Sequence, residues 1–395
     1  MHRRRALPFD YAVRNLARRP VRTLLTGLSS ALVAGLFVAT AAFVQGLSKS
    51  FSNAGRDDVA ILLSRVSESD VLRSTVPASL AELVAAEVAG VARPGGVAAV
   101  SAEIHSGTNL RLGERPAEGE ADPSYQAFVR GVTERAFLVH DAVTLIEGHL
   151  PGPSEVLVGR VVPSQLGLPA ERFRIGEKLR FEGGTFTVAG TFAAPGTTIE
   201  SELFAPLADL RSLARREDAS AVFVRLQSPA DFGELELFAR RRLDLELNAI
   251  PSTLYYKELG AYFAPIRALA WVLALMMGAA ALFGGANTLN AAVQDRVREL
   301  ATLRALGYRS RALAVSLLQE SLVLAAAGGL LGLALARFAL SGAAVRIAMG
   351  AFTLAIGPEA VLAGFAVALG LGILSTLPAA VRVARLPVAV ALKEP

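Results

Sequence analysis

The sequence predicts a membrane protein with four transmembrane α-helices, one and then three. A large extracytoplasmic α+β domain is inserted between the first and second spans. Three observations predict it. Four long runs of the 395-residue chain are almost free of charge, the basic residues gather beside those runs, and about 220 residues of mixed helix and strand pattern separate the first run from the second. Composition agrees, with 53% hydrophobic residues and a mean hydropathy of +0.45. Charged residues make up only 19%, against ~25% in a typical soluble chain. There is no cysteine, which excludes disulfides, thiolate metal sites, a thiol nucleophile and a lipidated cysteine.

Residues 1–22 carry seven arginines and one acid, Asp10. They predict a cytoplasmic amphipathic helix with Leu7, Tyr11 and Leu16 toward lipid and the arginines toward phosphate. The first span covers 23–48, of which Thr23 to Ser48 is uncharged. A rival reading makes it a signal peptide, since Arg18-Arg19 precedes Leu24-Leu25 and Ala39-Thr40-Ala41 fits a cleavage pattern. The run of 26 uncharged residues exceeds a usual apolar signal core of ~7–15, so the span is expected to stay.

The extracytoplasmic domain is expected over 49–262. Strands are predicted at Asp58–Val66, Val97–His105, Tyr125–Val132, Glu155–Gly159 and Ala221–Leu226, and helices at Pro77–Val91, Pro206–Arg216 and Pro229–Glu246. Lys178–Phe181 and Thr185–Thr191 flank Glu182-Gly183-Gly184, a hairpin pattern. Strands dominate the middle, which predicts a β-rich lobe over about 135–205. Gly113–Ser124 reads as a polar loop. The aromatics Tyr255, Tyr256, Tyr262, Phe263 and Trp271 suit a headgroup belt. The second span, 263–294, is expected to be the inner part of one stiff rod that starts near Tyr256, with Pro265 as a kink.

A cytoplasmic connection follows at 295–311, then the third span at 312–336, a short outside loop at 337–359, the fourth span at 360–381 and a cytoplasmic tail at 382–395. Each run is long enough for the ~20 residues that cross ~30 Å of hydrocarbon. Direction comes from the arginines. The two termini and 295–311 together hold 15 basic and 4 acidic residues, whereas 48–267 holds 23 basic and 29 acidic. Both termini are therefore expected in the cytoplasm.

Chemistry is sparse. No GxxxxGK[ST] phosphate loop, HExxH or GxSxG occurs, so no nucleotide, metal or acyl-transfer machinery is predicted. His105, His140 with Asp141, and Glu147 with His149 are read as ordinary surface or core residues, with no metal site and no cofactor expected. The most informative segment is Asp295–Arg311. Val297, Leu300 and Ala301 share one helical face, with Leu303 and Leu306 close to it, and Gly307 fits a helix C-cap. The residues alone leave two readings open, an interfacial helix or a docking element. On the second, Leu300 and Leu303 form the ridge that a partner grips. Glu320 lies inside the third span, where a carboxylate costs ~2.5–3.5 kcal/mol, so it must meet protein or water. Gly328 and Gly332 form a GxxxG spacing that lets helices approach closely.

One span, a large outer domain and three more spans, with RVRELATLRALGYRSRALAVSLLQESLVLAAAGGLLGLALA between the second and third, resembles the permeases of MacB/FtsX-type ABC transporters. The opening AVRNLARRPVRTLLT and residues 145–190 resemble that family as well. The resemblance implies a bacterial inner-membrane permease that works as a dimer with a second copy or paralogue, on a pair of ATPase subunits that bind the ATP. A periplasmic adaptor is a further partner of such systems. It implies that 296–307, including Arg296, Glu299, Arg304 and Gly307, is the coupling helix on the ATPase. It also implies mechanotransmission, in which ATP-driven motion below moves the outer domains to export or extract a lipophilic or peptide cargo. The missing phosphate loop departs from members with a fused ATPase. A reading from another class is a regulatory scaffold that switches an enzyme of the periplasm or cell wall without moving cargo.

Overall fold

A computed structural model describes residues 20–385 together with 14, 16 and 18, apart from 68, 118, 120, 341, 348, 349 and 355. Most of the predicted N-terminal amphipathic helix, with Leu7 and Tyr11, and the tail beyond Arg385 lie outside the described residues. The chain divides into a membrane unit (up to Val44, Pro265–Ala343 and from Leu354) and an inserted domain (Gln45–Ala264 with Ala344–Thr353).

Four helices are long and apolar enough to cross a membrane: α1 (Pro20–Ser52) and then α8 (Ala264–Gln294), α10 (Ser310–Leu340) and α11 (Pro358–Arg385). They are helical because hydrocarbon offers no partner for backbone N–H and C=O groups. Small residues set the packing of α1, α10 and α11. A side-chain carbon on Gly328 would meet the Gly27 carbonyl and Ser30, and one on Gly332 would meet the Ala31 carbonyl. Gly364 and Gly372 leave the same kind of room for Val38 and Ala325. Ser30 Oγ donates to Ala325 O at 3.4 Å and Ser321 Oγ to Gly372 O at 2.7 Å. Helix α8 meets α1 through Phe37 and Trp271, ring centroids 5.6 Å apart.

The inserted domain carries the helices α2 (Leu80–Glu87), α3 (Ala136–Val139), α4 (Val162–Leu166), α5 (Leu207–Leu213), α6 (Phe232–Arg241) and α7 (Ser252–Ala261). Its strands are β1 (Val59–Ser64), β2 (Val76–Pro77), β3 (Val100–Leu112), β4 (Tyr125–Val132), β5 (Thr144–Gly148), β6 (Glu155–Gly159), β7 (Lys178–Phe181), β8 (Gly184–Ala193), β9 (Glu202–Pro206), β10 (Asp218–Ala219), β11 (Ala221–Arg225) and β12 (Leu247–Pro251). The order β12-β1-β11-β3 makes an antiparallel sheet. One face packs on α2 and α6 through Leu80, Val84, Leu235 and Phe238. The other face buries Ile61, Leu63, Phe223 and Val139. Strand β3 then runs on into a second layer, where β3-β4-β9-β6-β8-β7 pair in sequence and β7 returns to β3. This ring closes a barrel filled by Leu110, Val129, Val156, Phe181, Phe186 and Leu203, which leaves those strands no open edge.

The strand expected at Val97–His105 runs instead from Val100 to Leu112, the helix expected at Pro77–Val91 is confined to Leu80–Glu87, and four further particulars differ from the sequence reading. The lobe reaches beyond 135–205, because Leu110, Ala127 and Val129 belong to its core. The helix expected to Glu246 ends at Arg241, and Leu247–Pro251 turns back as strand β12 against β1. The expected rod is broken. Helix α7 stops at Ala261 and α8 starts at Ala264, so Pro265 lies in a first turn, where its missing N–H costs nothing. The connection 337–359 is not a bare loop. It holds a hairpin, β13 (Ala344–Ile347) and β14 (Gly350–Thr353), which packs within the inserted domain on α4 and on residues 198–201. The Arg346 guanidinium sits on Gly167, the left-handed end of α4. Glu182 and Gly183 do make the expected tight turn between β7 and β8, both with positive φ.

Candidate functional site

The segment between the second and third spans folds as a short helix, α9 (Val297–Ala305). Its end is fixed by Gly307, whose φ of +96° is open to glycine and strained for other residues. There Gly307 N donates to Arg304 O at 3.0 Å and Tyr308 N to Leu303 O at 3.1 Å. The apolar face expected to meet a partner is turned the other way. Leu300 is 3% exposed and Ala301 is buried. Leu300 packs in one cluster with Val293, Leu313, Leu317, Ala379 and Val383, and Leu303 lies against it. Leu300 and Leu303 therefore fasten α9 to the ends of α8, α10 and α11, and are not a ridge open to a partner. The outward positions are Arg298, Thr302, Ala305 and Leu306, followed by Gly307 and Arg309, with Val297, Glu299 and Arg304 at the border. Leu306 is 62% exposed. The sequence reading passed over Arg298, Thr302 and Arg309. Their spacing from Leu306 was legible, but which side of the helix is bare was not.

Arg296 and Glu320 stand 24 residues apart and come together. Arg296 Nη1 lies 3.4 Å from both carboxylate oxygens of Glu320, and Arg296 Nε donates to Glu299 at 3.2 Å. Both partners of the pair are buried, at 5% and 7% exposure. A lone carboxylate at this depth is costly, and pairing with Arg296 offsets part of that cost. The pair joins the start of α9 to the body of α10. Gly328 and Gly332, eight and twelve residues further along α10, lie at the crossing with α1.

The inserted domain has its own buried polar centre, at the junction of the sheet and the barrel. Arg130 on β4 is 1% exposed. It grips Glu202 of β9 with two bonds, 2.7 and 3.0 Å, and Glu103 of β3 with a third at 2.9 Å. His140 Nε2 lies 2.8 Å from the other oxygen of Glu103, and His105 Nε2 lies 3.3 Å from Glu103. Phe204 and Phe223 flank the guanidinium, each centroid 5.6 Å away. Tyr256 from α7 is buried beside it, and burial pushes its hydroxyl pKa up. Burial alone would raise the Glu103 pKa, but His140 and Arg130 hold it well below the usual carboxylate range. Burial lowers the pKa of His105, and the charge of Arg130 lowers it further. No group of three or more His, Asp or Glu among the described residues could hold a metal ion. The centre reads as a clamp, because Arg130 ties three strands that belong to two cores.

The clamp makes stability depend on pH. His105 takes up a proton less readily in the folded than in the unfolded chain, whose histidine titrates near 6.5. The unfolded state therefore binds more protons as pH falls below that value, and the folded state loses ground. Glu103 acts in the same direction below about 4.5. Thermal unfolding of the inserted domain, followed in the full chain, is expected to move to lower temperature from pH 7 to pH 5. His105→Gln is expected to flatten the upper part of that slope. A slope unchanged by His105→Gln would show that His105 does not carry it.

Two family models match the chain. One, described as the MacB-like periplasmic core domain, covers residues 23–236, and the other, the FtsX-like permease C-terminal, covers 271–388. Among solved structures, the periplasmic region of MacB from Actinobacillus actinomycetemcomitans aligns with a TM-score of 0.39 and 15% identity, over 52% of this chain and 94% of that one. The extracellular domain of the noncanonic ABC-type transporter YknZ from Gram-positive bacteria aligns with a TM-score of 0.37 and 14% identity, over 49% and 99%. No curated protein matches the sequence. The two family models, with the four spans, carry the assignment.

Proposed function

The chain belongs to the MacB/FtsX-type permeases of ABC transporters, and on that premise we propose that it transmits work from an ATPase in a partner chain to its own inserted domain. The observation that carries this reading is the seating of α9. Leu300 and Ala301 are embedded among residues of α8, α10 and α11, and Arg296 is tied to Glu320. A push on the outer face of α9 therefore reaches three spans at once, because packed helices resist independent movement. The face that receives the push is Arg298, Thr302, Leu306 and Arg309, with Arg304 and Gly307 at its edge. Both termini then lie on the ATPase side, in the cytoplasm, and the inserted domain lies outside, as the arginine distribution favours.

The motion would serve export or extraction of a lipophilic or peptide cargo from the outer side. A second permease, identical or paralogous, would complete the pair that an ATPase dimer requires. An adaptor outside would receive the cargo. ATP is bound by the partner, and this chain contributes the lever.

Leu306→Asp tests the reading directly. Position 306 is exposed, so the variant is expected to keep the wild-type unfolding temperature. Stimulation of the co-expressed ATPase by the permease is expected to fall roughly tenfold or more, the scale of losing one central interface contact. Leu300→Asp is expected instead to destabilise the membrane unit, since it places a charge in a buried cluster. Full ATPase stimulation and co-purification in Leu306→Asp would refute α9 as the docking element.

A further inference from the structure

We propose that the cleft at the end of α5 is an anion site that takes a phosphate group. The cleft, of about 460 Å³, is lined by Ala208, Arg211, Ser212, Arg215, Arg216 and Glu217. Leu210, 1% exposed, roots α5 in the barrel core. The chain then closes a tight end in which Arg216 N donates to Arg211 O at 2.9 Å. This turn brings Arg211, Arg215 and Arg216 to the lining of one opening, with Arg215 in a left-handed conformation, φ +51°.

Three features separate this cleft from an ordinary basic surface. First, most arginines of the inserted domain have a carboxylate partner, as Arg56, Arg135, Arg180, Arg225 and Arg242 do. Among the described residues, Arg211, Arg215 and Arg216 form no ion pair. Second, the Nε–H of Arg211 is shut off from solvent and meets no acceptor. A charged donor without an acceptor costs stability, so the Arg211 guanidinium gains by turning toward an anion in the cleft. Third, residues 48–267 hold more acids than bases, so the cluster opposes the charge of its surroundings. Glu217 on the same lip is outnumbered three to one. A guanidinium fork suits the oxygens of a phosphate, two at a time, and the Ser212 hydroxyl adds a further donor. A free phosphate and a phospholipid headgroup both present this chemistry. The site is independent of the ATPase reading, and its test needs no partner chain.

The full chain in maltoside micelles is titrated with inorganic phosphate at constant ionic strength, with chloride as the balancing ion, and thermal unfolding is followed. A ligand that binds only the folded state raises the unfolding temperature along a saturating curve. Wild type is expected to saturate. Arg211→Gln, and the pair Arg215→Gln with Arg216→Gln, are expected to need at least tenfold more phosphate. Arg211→Lys, which keeps the charge and loses the fork, is expected to be weakened as well. Arg241→Gln, exposed on α6 and not among the residues that line the cleft, is expected to titrate as wild type. The double variant carries the test should Arg211→Gln fail to fold. Dihexanoyl phosphatidic acid serves as a second probe. Tighter binding than inorganic phosphate assigns the site to a lipid headgroup, and equal binding assigns it to a free anion, both in support. No saturation in wild type, or identical curves in wild type and the double variant, overturns the proposal.

Discussion

Arg130→Ala is expected to destabilise the inserted domain by about 3–5 kcal/mol, the range measured when one partner of a buried ion pair is removed. Two carboxylates, Glu103 and Glu202, would remain buried without the cation that holds them. The flanking rings of Phe204 and Phe223 would lose their filling, and β4 would lose the side chain that ties it to Glu103 on β3 and Glu202 on β9. Single domains have ~5–15 kcal/mol in total, so the variant is expected to unfold far below the wild-type temperature and to be cut readily by protease in the full chain. Arg130→Lys is not expected to rescue it, because one ammonium cannot reproduce three directed bonds to two acids. Wild-type unfolding in Arg130→Ala would show that the clamp is not what joins sheet and barrel. Arg130→Met with Glu103→Gln and Glu202→Gln is expected to recover part of the loss, because the isolated carboxylates are then gone.

Gly332→Val is expected to have a comparable effect in the membrane unit. The added carbons would enter the space held by the Ala31 carbonyl, with Gly35 beside it. Water does not drive these helices together inside a bilayer, so their association rests on close packing and hydrogen bonds. Forcing α1 and α10 apart removes both, including the Ser30–Ala325 bond. Overpacking costs about 1–3 kcal/mol, and the lost crossing adds to it. Gly328→Ala meets the Gly27 carbonyl and Ser30 in the same way, whereas Gly370 on α11 has open space around it. Gly370→Ala therefore serves as the control. Unfolding of the micellar protein in a graded dodecyl sulfate series is expected to come earlier for Gly332→Val and unchanged for Gly370→Ala. Equal midpoints for all three proteins would show that the glycines do not set this crossing.

Much of the architecture was already legible in local sequence. A run longer than 20 residues with at most one charge has no comfortable place but hydrocarbon or a very large core, so the four spans, with the domain inserted after the first, followed from counting. Tyr125–Val132 and Glu155–Gly159 could be marked to the residue, because their ends carry turn-forming neighbours. The Glu182-Gly183 turn followed from conformational preference, and Gly307 as a helix end for the same reason. Each of these rests on interactions within a few residues.

Tertiary structure alone decided the rest. The periodicity of 297–306 identified an apolar face, but it could not say whether a partner or the chain's own spans would cover it, and Leu300 went to the spans. Strands Glu202–Pro206 and Leu247–Pro251 are short and exist because a neighbouring strand pairs with them. The partners of Arg130 lie 27 and 72 residues away, and that of Glu320 lies 24 residues back. A lone charge in an apolar stretch announces that it needs a partner. Only the register of strands and the crossing of helices select which one, because that choice is made by distances between segments and not by the order of residues along the chain.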